Sequence, residues 1–77
     1  MTPEYKEIRL VTLKVCIATA MDMISYHDRK QGEDFILHSG NTTEFEVRAA
    51  YRTQEILEWK IRLEIWESEL AVLNAQN

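Results

Sequence analysis

Two glycines and one proline in 77 residues leave few places for the chain to turn. A sandwich or barrel of many short strands needs frequent turn residues, so that architecture is disfavoured. The single cysteine, Cys16, cannot form an internal disulfide, and no Cys/His spacing matches a zinc site. Bases are in deficit too, with nine Lys and Arg against thirteen Asp and Glu, a net charge of -4 and a pI near 5.1. Direct grip on a phosphate backbone depends on clustered Lys and Arg, so no direct nucleic-acid partner is expected. No basic start followed by an apolar run and a small-residue cleavage site is present, which argues against a secretory signal. The most apolar window, Leu10 to Ile24, contains Lys14 and Asp22 and falls short of the roughly 20 residues of a spanning helix, so no membrane partner is expected. An unpaired cysteine without a signal points to a reducing, cytoplasmic setting.

Apolar residues make up 45 % and charged ones 29 %, the balance of an ordinary globular chain and the length of one domain, 1–77. Thr2-Pro3-Glu4 reads as a helix start: a capping hydroxyl, a proline at the first helical position, then an acid facing the positive helix end. A helix over 3–30 follows, its apolar positions split into two stripes, Ile8/Val11/Val15/Ala18 and Leu10/Leu13/Ile17/Met21/Ile24. Val11, Leu13, Val15 and Ile17 also alternate as a strand would, but the cap and the length favour a helix. His27-Asp28-Arg29-Lys30-Gln31-Gly32 reads as its C-terminus.

Residues 32–47 read two ways. Asp34-Phe35-Ile36-Leu37-His38, the turn Ser39-Gly40-Asn41 and the alternating Thr43/Phe45/Val47 suggest a small β-hairpin. Thr43-Glu44-Phe45-Glu46 also fits a capping box, which starts the second helix at once and leaves 32–42 as a loop. A helix over 48–74 carries the clearest signal. Ile56, Trp59, Leu63, Trp66, Leu70 and Leu73 are spaced 3-4-3-4-3, a seam of heptad a and d type. Leu57, Ile61 and Ile65 form a second apolar row on another side, while Glu58 precedes Arg62 and Glu44 precedes Arg48 in the favourable i,i+4 order.

The expected fold is therefore mainly α: two long antiparallel helices joined by a short β-hairpin or loop (α-β-β-α), oligomeric. A compact chain of this length has a radius of gyration of about 11–12 Å, whereas a 26-residue helix is about 39 Å long. Neither helix fits such a globule, and each carries more apolar surface than one neighbour covers. Surfaces of that kind find partners. The expected partners are a second copy of the chain and another protein.

The seam residues Ile56, Trp59, Leu63, Trp66, Leu70 and Leu73 are the candidate interface, with Trp59 and Trp66 as anchors or as plain core. Glu64, Glu67 and Glu69 are a candidate acidic face for a basic partner, or a solvated helix face. His27-Asp28 lacks an adjacent nucleophile motif and reads as a helix cap; His38 falls on the hairpin; Cys16 lies in the most apolar stretch, where burial silences a thiol. Tyr5, Tyr26 and Tyr51 lack the basic interleaving of a nucleic-acid stacking surface. Asn41-Thr42-Thr43 matches a glycosylation acceptor, without meaning in the absence of a secretory signal. No catalytic, metal or cofactor site and no small-molecule substrate are expected.

The order of helix, glycine, short hairpin around Ser39-Gly40-Asn41, and a helix ending Trp66-Glu67-Ser68-Glu69-Leu70 resembles the lambda W type of head–tail joining proteins of tailed phages. The likeness is one of element order and size. This chain departs from it in a longer, more apolar first helix and in a C-terminus, Leu73-Asn74-Ala75-Gln76-Asn77, without a basic tail. The resemblance implies a non-enzymatic virion protein that oligomerises at the phage neck, placed in the host cytoplasm or the virion. The alternative, suggested by the acidic charge, is a small inhibitor or anti-defence protein that binds and blocks a host enzyme or a nucleic-acid site. A small helical transcriptional co-regulator would need a basic surface that the sequence lacks.

Overall fold

The computed structural model describes residues 2–38 and 40–76; Ser39, expected in the turn, and Asn77, at the end of the tail, lie outside the described residues. Two helices account for nearly all of it: α1, Pro3–His38, and α2, Thr42–Ala75. The start of α1 is the expected one. Thr2 accepts the Tyr5 N–H on its hydroxyl and the Lys6 N–H on its carbonyl, both at 3.1 Å, and Pro3 takes the first helical position, where its missing N–H costs nothing.

The expected hairpin is absent: no described residue between 32 and 47 is in a strand, and most of that stretch is helical. Instead of stopping at Gly32, α1 runs six residues further to His38. Glycine weakens a helix by about 1 kcal/mol relative to alanine, an amount that packing of a neighbouring turn readily offsets. The second helix starts at Thr42 rather than 48, and its cap is Asn41, not Thr43. The Asn41 backbone is extended, and its Oδ1 accepts the Glu44 N–H at 3.0 Å. The connection is tight, the Asn41 N–H donating to the His38 carbonyl at 2.9 Å. With α2 starting so early, the Arg48–Glu44 pair forms, Nε to Oε1 at 2.8 Å.

The helices pack antiparallel along one seam of 3-4 spacing. On α1 it runs Leu10, Leu13, Ile17, Ala20, Ile24, His27, Gln31, Asp34, His38. On α2 it runs Phe45, Ala49, Arg52, Ile56, Trp59, Leu63, Trp66, Leu70, Leu73. Every one of these side chains is buried or half-buried. The seam expected on α2 therefore faces α1 of the same chain, and it starts at Phe45, eleven residues before Ile56.

The product is a rod of 57 × 14 × 14 Å with a radius of gyration of 17.3 Å, far from a compact globule. Its accessible surface is 5645 Å², against roughly 4,900 Å² for a compact protein of this mass. Among the described apolar residues only Leu13, Ala20 and Leu73 are buried. One layer of two helices has no inside beyond its single line of contact.

Candidate functional site

The half of the seam near the chain ends is apolar. Leu13 and Ala20 are fully enclosed, with Leu63, Trp66 and Leu70 half-buried opposite them and Leu73 closing the end. Trp59 sits where this region gives out. Its Nε1 is buried with no partner among the described residues, and the Arg62 guanidinium lies 4.5 Å from its ring centroid. That stacking replaces the expected Glu58–Arg62 pair; Glu58 instead accepts from Gln54 Nε2 at 3.1 Å.

The other half of the seam is polar, which the apolar spacing had concealed. His27 and Asp34 are 3 % and 5 % exposed, two turns apart on α1, and Arg52 reaches both from α2. Its Nε donates to Asp34 Oδ2 at 3.2 Å and its Nη1 to His27 Nδ1 at 2.9 Å. Because a guanidinium only donates, His27 Nδ1 accepts and the ring proton sits on Nε2. That atom faces Glu55 Oε2 at 3.6 Å. Tyr26 and Tyr51 meet the imidazole edge-on, with centroids 5.1 and 5.9 Å away, and Gln31 donates to the Thr53 hydroxyl at 3.2 Å. His27 is thus a core residue and not the helix cap expected for His27-Asp28. The layer holds its charges by pairing, as buried ions require, and Cys16 is three turns away from it. Among the described residues, no three His, Cys, Asp or Glu side chains gather as a metal ion would require.

The expected acidic face splits. Glu69 turns to α1 and takes a two-pronged bond from Arg9, Nη2 to Oε1 at 2.9 Å and Nε to Oε2. That bond holds the Glu69 carboxyl below the usual glutamate range against the opposing pull of burial, and raises the Arg9 guanidinium. Glu64 and Glu67 stay exposed. On α1, Lys30 Nζ bonds Glu33 Oε2 at 2.7 Å and lowers the Glu33 carboxyl likewise.

Three apolar surfaces face solvent. On α1, Ile8, Val11 and Val15 are 66, 63 and 61 % exposed, and Ala18 continues their line. On α2, Leu57, Ile61 and Ile65 are exposed by 55–58 %, and Val72, which the sequence reading passed over, extends the row. Both rows occupy the heptad positions that point away from the seam, so they look outward on opposite sides of the rod. The third surface is the tip, where Phe35, Ile36 and Leu37 are exposed and Phe35 meets Phe45 edge-on at 5.6 Å. From sequence those three residues read as one side of a hairpin or as loop; no periodicity marks them as a helix end.

No protein-family model, curated protein or solved structure matches the chain. Among the described residues no helix is long and apolar enough to cross a membrane.

Proposed function

We propose that the protein is a non-enzymatic assembly protein that works by contact with copies of itself and with another protein. One observation carries this: a single-layer rod that presents apolar rows on two opposite sides. Ile8, Val11, Val15, Leu57, Ile61, Ile65 and Val72 are all more than half exposed. Burying what they still show is worth on the order of 6–13 kcal/mol. Two facing helices cannot supply that cover, because each has only one seam to offer the other. The chain shares its size with head–tail joining proteins, though not the hairpin, which is absent among the described residues; on the likeness in size the assembly is read as a phage virion, with the tip residues Phe35, Ile36 and Leu37 available to the second protein.

The test is the solution mass over a concentration series by light scattering. The proposal expects species well above 9.1 kDa at micromolar concentration. A monomer throughout the series overturns it.

The exposed pair Glu64 and Glu67 favours a second reading, an inhibitor that offers negative charge to a basic enzyme or nucleic-acid site. Capture by the tagged chain separates the two. Recovery of portal or capsid proteins supports the assembly role, and recovery of a nuclease or polymerase supports the inhibitor.

A further inference from the structure

We propose that the α1 outward row of one copy packs on the α2 outward row of the next, with both rods pointing the same way. This rests on the self-association proposed above and specifies its geometry.

The two rows lie at matching heights. Within one chain Arg9 is level with Glu69, His27 with Arg52 and Phe35 with Phe45. In that register Ile8 stands level with Val72, Val15 with Ile65, and the small Ala18 with the large Ile61. A neighbouring copy in the same orientation meets these rows antiparallel, with the small Ala18 and Ser68 opposite the large Ile61 and Val11. The shallow hollow on α1 between Glu7, Ile8, Val11 and Thr12, about 290 Å³, stands at the height where Val72 arrives.

Charge selects the same pairing. Between Ile8 and Met21 the two charged side chains are Arg9, committed to Glu69, and Lys14, exposed beside Val11 and Val15. At the matching height on α2 the exposed Glu64 stands one turn from Ile61, in a stretch that also holds the exposed bases Lys60 and Arg62, the latter stacked on Trp59. Antiparallel packing brings the same flank of both helices together, so Lys14 of one copy meets Glu64 of the next. A symmetric α1-on-α1 contact instead sets Lys14 near Lys14. The seven large side chains contribute on the order of 250–500 Å² at the area that their transfer energies imply, to which the polar rim of Thr12, Thr19, Lys14 and Glu64 adds; each rod makes two such contacts, one through each row. A contact between different faces repeats, closing into a ring or running on as an array.

Single-cysteine cross-linking tests this on the full chain with Cys16→Ser. One preparation carries Val15→Cys and another Ile65→Cys, both at exposed positions, and circular dichroism verifies that helicity is kept. Upon oxidation the mixture is expected to give a disulfide-linked dimer and each preparation alone to give none; a chain with both cysteines should give a ladder. Cross-linking of either preparation alone shows symmetric pairing and overturns the proposal. So does a mixture that fails to cross-link while light scattering still reports an oligomer. A monomeric mass removes the self-association as well, so the two failures are distinguishable.

Discussion

At the scale of the residue, Arg52 holds the most consequential position in the fold. Among the described residues it is the one side chain that bonds both buried polar groups of α1, His27 and Asp34. Removing one member of a buried ion pair leaves the other uncompensated. Arg52→Ala should therefore lower unfolding free energy by about 3–5 kcal/mol in urea titration, while Arg52→Met together with Asp34→Leu should cost much less. Leu13→Ala, at the fully enclosed position, should cost about 2–5 kcal/mol by the same measurement. The pH dependence follows from Glu69 and Glu33. Each carboxyl is held below its ordinary value by a basic partner, so its contribution is complete above the ordinary glutamate range and is lost as pH falls through the lowered value. Stability should stay level near neutrality and decline below about pH 4. Arg9→Ala should make that decline shallower in acid titrations followed by circular dichroism.

At the scale of the element, what sequence reveals depends on whether the seam is built from apolar residues. The cap at Thr2-Pro3 and the run from Ile56 to Leu73 announce themselves, because hydroxyl, proline and apolar spacing are the signals that helices are recognised by. The same 3-4 spacing continues through His27, Gln31 and Asp34 on α1 and through Arg52 on α2, but in polar residues. A search for apolar periodicity stops where these begin. Gly32 then reads as a terminus, and Phe35-Ile36-Leu37 as one side of a hairpin or as loop, when both belong to the last turns of α1. The candidate site divides the same way. The second row Leu57/Ile61/Ile65 was visible from spacing, whereas the removal of Glu69 from the acidic face required knowing that Arg9 lies opposite. Two substitutions probe the helix ends directly. Gly32→Ala meets no neighbouring atoms and should raise the urea midpoint, with a gain of about 0.5–1 kcal/mol. Asn41→Ala removes the cap of α2 and should cost about 1 kcal/mol.

At the scale of the molecule, the length of the two helices decides everything that follows. A chain of 77 residues drawn out to 57 Å is one layer thick, and a layer has two outer faces. Had the helices broken at Gly32 and Arg48, a shorter and thicker fold would have hidden more of each. Unbroken, they commit the apolar seam to each other and leave Val11, Val15, Ile61 and Ile65 exposed. Ile61→Glu should thus reduce the oligomer mass without loss of helicity at high concentration, since it lies outside the intrachain seam. Leu63→Asp, within the seam, should lower mass and melting temperature together.

The most direct test of the account is the melting temperature measured as a function of protein concentration. If copies supply the cover that one chain lacks, folding is linked to association, and the midpoint should rise by about 5 °C or more between about 1 and 100 µM. A midpoint that does not move over that range would show that the two-helix rod is stable alone, and would contradict the central claim.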